Sequence, residues 1–134
     1  ASQYSNPNFS GEVEFDYDNH NGRYMIGSGS MQFELAFSGA SNGSIHILND
    51  PANIEGIALA HDAKSFSEIK DASKFDYTSR LRTPHTGEIV TLVNQNGFFA
   101  AIKLGEIKAR SHGAKRSSVS FKYVINQEKE TSFV

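Results

Sequence analysis

The stretch that decides the fold reads Glu88-Ile89-Val90-Thr91-Leu92-Val93-Asn94-Gln95-Asn96-Gly97-Phe98-Phe99-Ala100-Ala101-Ile102-Lys103-Leu104. Two β-rich arms flank Asn94–Gly97, and Asn-Gly is the strongest short hairpin signal because both residues tolerate positive φ. Both arms are apolar at nearly every position. A strand with one wet face alternates, so this hairpin belongs at the centre of a sheet, covered on both faces.

Outward from the hairpin, apolar residues recur with period two, the mark of half-buried strands. Downstream, Val119, Phe121, Tyr123 and Ile125 alternate with Ser118, Ser120, Lys122 and Val124, and Glu106–Ala109 extends the second arm. Near the start, Phe9, Gly11, Val13, Phe15 and Tyr17 alternate with Ser10, Glu12, Glu14, Asp16 and Asp18, giving one apolar and one acidic face. Asn19-His20-Asn21-Gly22 then turns the chain into a return strand, Arg23 to Ile26. After a bend at Gly27-Ser28-Gly29-Ser30, Met31, Phe33, Leu35 and Phe37 make a third strand. Ser38 to Gly43 reads as a loop. Ile45 and Ile47 form a short strand that ends before Pro51, since proline cannot donate to a ladder. Ile54, Ile57 and Leu59 suggest a further apolar element interrupted by Gly56. Ser65 followed by Glu68 has the form of a capping box, with Phe66 and Ile69 on one face of a two-turn helix. Phe75 and Tyr77 restart an extended segment.

These elements predict an all-β domain of about eight strands with one short helix near 65–73. The architecture is an antiparallel β-sandwich, jelly-roll-like, or a small barrel. Residues 1–134 form a single β domain, with a frayed N-terminal segment 1–8 and a polar C-terminal tail 127–134. The 32 Ile, Leu, Val and Phe residues among 134 supply a true core and exclude a disordered chain. Cysteine is absent, which excludes disulfides, thiolate metal sites and cysteine nucleophiles. No apolar run approaches the roughly 18 residues of a membrane helix, and no membrane partner is expected. The compartment is not legible.

Charge is uneven along the chain. Residues 1–67 hold two basic and eight acidic side chains, while residues 68–134 hold eleven basic and seven acidic. Lys103 to Lys122 carries six basic groups and one acid, Glu106. Such a segment is either a solvated strand and loop or a basic face for an anionic partner.

Four constellations bear on function. Arg80-Leu81-Arg82-Thr83-Pro84-His85-Thr86-Gly87 places two arginines at i and i+2, on one side of an extended chain. Guanidinium forks suit phosphate and carboxylate, and Tyr77 is a nearby stacking partner. The competing reading is that these arginines pair with Asp76 or Glu88. Arg110 and Arg116 join the group if the loops share one end of the sandwich. Asp16, Asp18, Asn19 and Asn21 crowd oxygens into one turn, as calcium or a sugar requires, although the spacing departs from an EF-hand and a plain hairpin accounts for it. The five histidines show no metal-ligand spacing, and His61-Asp62 is a cheap dipeptide. Gly27-Ser28-Gly29-Ser30 is not a phosphate loop, and Gly-x-Ser-x-Gly is absent.

The reading this supports is a non-catalytic recognition module. It engages an anionic ligand (nucleotide, phosphate or acidic group) through Arg80, Arg82, Arg110 and Arg116, with Tyr77 beside them. Alternatives are a carbohydrate-binding module at the 16–22 loop, with calcium as its only candidate cofactor, and a protein-interaction or assembly domain. A hydrolase using loop carboxylates and His61 or His85 has the least support. A small molecule or a protein is the expected partner, and nucleic acid is disfavoured because Phe121 and Tyr123 lie on the core face rather than between the basic groups. Self-association and membership of a larger protein stay open.

Overall fold

The computed structural model describes the chain except for residues 1–4, 18–21, 42, 49–53, 61–62, 79–80, 109–117, 129–131 and 134; Ala40 and Ser41 are described by backbone alone. Alternation becomes ten strands: β1 (Ser5–Asn6), β2 (Ser10–Phe15), β3 (Arg23–Ile26), β4 (Phe33–Ser41), β5 (Ser44–Leu48), β6 (Ile54–Leu59), β7 (Leu81–Arg82), β8 (Ile89–Asn94), β9 (Phe99–Lys108) and β10 (Ser118–Ile125). Eight match the elements read from the sequence, and β1 and β7 are two-residue additions at sheet edges. Sheet A runs β1-β3-β4-β5-β7, and sheet B runs β2-β10-β9-β8-β6. All pairings are antiparallel except β1 with β3. The result is an all-β sandwich, not a closed barrel.

A jelly roll joins distant strands by Greek-key crossings. Here β3, β4 and β5 are consecutive neighbours, as are β8, β9 and β10, so each sheet has a meander at its centre, and the pairs β1–β3, β5–β7 and β6–β8 each skip one strand that lies in the other sheet. The long-range exception is β2, which lies beside β10 with Val13 opposite Phe121.

The inward residues of both sheets form one core, filled by a cluster of rings. Phe15 lies 5.0 Å from Tyr24 and 5.6 Å from Phe37, and Phe121 packs 5.7 Å from Phe37. The space between the sheets is thus occupied by the protein's own side chains.

The central hairpin is covered on both faces, as its lack of alternation requires. Val90, Leu92, Ala100 and Ile102 face the main core. Ile89 and Ala101 face outward into a second cluster with Ala60, Ile69 and Ala72, flanked by Phe66, Phe75, Phe99 and Phe133. The segment 63–77 and Phe133 make this outer cover. Phe133 also donates its N–H to the Ile69 carbonyl at 2.8 Å, and Ser5–Asn6 pairs with Met25–Ile26.

Residues 65–73 do not form the expected helix. They make two 3-10 turns, Phe66–Glu68 and Ala72–Lys74, with Ile69 extended between them. Ser38–Gly43 also differs from the loop expected of it: β4 continues to Ser41, with an irregularity between Gly39 and Ser41.

Candidate functional site

Of the arginines singled out by sequence, Arg82 is described; Arg80, Arg110 and Arg116 lie outside the described residues. Arg82 stands directly opposite Ile47, a core residue, so it shares the inward direction at the seam between the sheets. Its side chain is 17% exposed. Nη2 donates to the Asp76 carbonyl at 2.6 Å and lies 3.5 Å from the Asp76 carboxylate. Nε is buried without a partner among the described residues. The Thr78 hydroxyl and N–H, then the Arg82 guanidinium, hold the Asp76 carboxyl below its ordinary range. The pairing with Asp76 is thus the one the structure displays.

Tyr77 lies in the outer cover of sheet B, its ring 6.1 Å from that of Phe99. Its hydroxyl donates to the Ala72 carbonyl at 2.7 Å and lies 2.9 Å from the buried Thr91 hydroxyl. Burial, first of all, pushes its phenol up to about 12. Its ring sits over Gly56, where an added Cβ would lie 2.9 Å from Tyr77 Cβ. His85 is exposed and pairs with Glu88 at 2.9 Å, and His46 meets Thr83 at 2.8 Å. His61 lies outside the described residues.

Asp16 is described, whereas Asp18, Asn19 and Asn21 lie outside the described residues. Among the described residues no three metal-ligating side chains are grouped. No described helix is long and apolar enough to cross a membrane. Leu81, 41% exposed, is the single large exposed hydrophobic among the described residues.

The strand order gathers the candidate segments at one end of the sandwich. Phe15 pairs with Val119 where β2 ends and β10 begins, and the Tyr17 hydroxyl donates to the Lys108 carbonyl at 2.7 Å. Gly43 N–H donates to the Ile107 carbonyl, Thr86 N–H to Gly43, and Gly87 N–H to Leu104. Ser118 stands opposite Lys108, so segment 109–117 leaves and re-enters the sheet at one point. The end of β2, Gly43 between β4 and β5, the loop 83–88 and the facing ends of β9 and β10 therefore share one end. Gly22, just before β3, has a φ of +71°, and an added Cβ there would run into the Phe37 carbonyl.

Sequence reading missed a second feature, on the outer face of sheet B. Val119 opposes Ile107 but Phe121 opposes Leu104, so Gly105 and Glu106 together face Ser120 in a β-bulge. Glu106 N–H donates to Ser120 Oγ at 2.8 Å. Beside the bulge lies a cleft of about 150 Å³ lined by Glu12, Lys103, Gly105, Ser120 and Lys122 over Leu104 and Phe121. The signal was Gly105 interrupting a β-rich run, which marks a bulge or a close approach.

No family model matches this chain, and neither a curated protein nor a solved structure matches it.

Proposed function

We propose that the protein is a non-catalytic recognition module for an anionic ligand, met by the loop end of the sandwich. The observation that carries this reading is the convergence of chain segments at that end. The segment bracketed by Lys108 and Ser118 holds Arg110, Lys115 and Arg116 in its sequence. It springs from the same end as the turn that follows Asp16 and Tyr17. A ligand with an anionic group and neighbouring hydroxyls, such as a nucleotide or a sugar phosphate, suits both. Arginines hold its charge, and the side-chain oxygens of 16–22 accept from its hydroxyls. Arg82 braces the seam through Asp76, so Arg110 and Arg116 bear the charge contact. The ring-filled interior leaves the surface as the place of binding.

A thermal-shift series with nucleotides, sugar phosphates, neutral sugars, calcium and EDTA tests the reading. A ligand near 100 times its Kd adds roughly 2.7 kcal/mol, worth several degrees in a domain this size. The expected result is a rise with nucleotides or sugar phosphates that salt diminishes and the Arg110→Ala/Arg116→Ala variant lacks. A rise only with calcium and neutral sugars, abolished by EDTA, would replace the anion with a cation-assisted sugar site. A flat series on the folded protein would overturn the reading in favour of a protein partner.

A further inference from the structure

We propose that the bulge cleft on the outer face of sheet B is a second, independent site, which takes a phosphate group. One row of side chains runs across this face: Glu12 opposite Lys122, Lys122 opposite Lys103, and Lys103 opposite Ile89. Directly opposed like charges destabilise an antiparallel pair. The Lys103–Lys122 pair persists with one carboxylate, Glu12, in its row. Of the neighbouring acids, Glu106 is engaged at 2.9 Å by Lys108, and Glu14 stands opposite Ser120. Lys103 Nζ donates to the Lys64 carbonyl at 2.7 Å, which steadies it and leaves two of its three N–H donors. Lys122 is exposed and makes no ion pair among the described residues.

The bulge provides the space. Without a side chain at Gly105, the floor between Lys103 and Ser120 is open; a Cβ there would lie 2.6 Å from Ser120 Oγ. The cleft's volume of about 150 Å³ equals roughly five waters' share of liquid volume, enough for a tetrahedral oxyanion with part of its hydration. Two ammonium groups acting as point charges suit phosphate, which needs no planar fork. An anion between them turns a like-charge repulsion into two attractions. The Ser120 hydroxyl accepts from Glu106 N–H at 2.8 Å and donates to the Glu106 carbonyl at 3.4 Å, a long bond that an oxyanion in the cleft would replace. Glu12 opposes the anion and limits its affinity.

Titration with inorganic phosphate at constant ionic strength, followed by amide NMR, tests the proposal. The amides of Lys103, Gly105 and Ser120 are expected to shift saturably. Lys122→Gln and Lys103→Gln each weaken binding about fivefold, the worth of one exposed ion pair, and together abolish it. Glu12→Gln strengthens it, because a like charge is removed. Gly105→Ala closes the floor and removes the response; should that variant fail to fold, the lysine and glutamate variants carry the test alone. Shifts that rise linearly without saturation, or a response that survives Lys103→Gln/Lys122→Gln, would overturn the site. The Arg110→Ala/Arg116→Ala variant separates the two readings. A phosphate response lost there and kept in the lysine variants belongs to the loop end, whereas the cleft predicts the reverse.

Discussion

Asn94 uses all the hydrogen-bonding capacity of its amide at a position only 1% exposed. Its Nδ2 donates to the carbonyls of Ser30 at 2.9 Å and Gln32 at 3.2 Å, on the approach to sheet A. Its Oδ1 accepts from the N–H groups of Asn96 and Phe98, fixing the hairpin of sheet B. One side chain thus ties the two sheets and shapes the central turn. Asn94→Ala leaves these groups without partners, and an unsatisfied buried group costs about 1–3 kcal/mol. The expected loss is about 3 kcal/mol in urea unfolding. A loss under about 0.5 kcal/mol, the range of an ordinary surface change, would show that other partners replace the amide. Arg82 teaches a different lesson at this scale. Spacing alone placed it with Arg80 on one side of an extended chain. Which side that is depends on pairing with Ile47, and pairing is not written in the local sequence.

At the scale of elements, strands were legible because each buries one face and so alternates. The central hairpin was legible because it buries two. The segment 65–73 was misread for a physical reason that lies outside it. In an α-helix the Ile69 carbonyl would accept from Ser73 N–H. Instead Ile69 gives its carbonyl to Phe133, and Ser73 N–H turns to Asp71 Oδ1 at 3.0 Å. Glu68 reaches Lys64 N–H rather than Ser65 N–H, so the box closes one residue early. Burying Ile69 and Ala72 against Ile89 and Ala101 outweighs a two-turn helix, which is marginal by itself. Of the sites, the basic residues of 109–117 were legible; that the ends of β9 and β10 lie beside Tyr17 depends on strand order and was not.

Two buried phenols, Tyr77 in the outer cover and Tyr123 in the main core, make an alkaline prediction. Tyr77 and Tyr123 have phenols pushed from 10.0 to about 12, first by burial. The fold therefore favours the neutral phenol. This stabilisation is whole below pH 10, declines as the unfolded chain ionises first between pH 10 and about 12, and is lost above that. Tyr77→Phe should cost about 1–2 kcal/mol at neutral pH, since the Ala72 carbonyl and Thr91 hydroxyl lose a partner. It should also make the decline between pH 10 and 12 shallower. Urea midpoints measured across pH 7–11.5 check both, and parallel curves for variant and wild type would refute the linkage.

On the scale of the whole molecule, four of the eight strand pairings join consecutive strands and three skip one strand, whereas β2 beside β10 joins the two ends of the chain. Meanders close short loops, whereas β2 must find a strand made from the far end of the chain, at a larger entropic cost. Val13, buried opposite Phe121, reports on that step. Val13→Ala should remove about 2 kcal/mol. If β2 docks after the rate-limiting barrier, unfolding quickens on the order of thirtyfold while folding keeps its rate. Stopped-flow chevrons decide this, and a folding arm slowed by the same factor would place β2 in the nucleus. The seam between first and last long strands is then also where the native state opens most readily. Such an opening bares the Val119–Ile125 edge to another copy's Ser10–Phe15. At high concentration the same pairing that closes one molecule would link two, so exchanged dimers are the form in which this fold would first go astray.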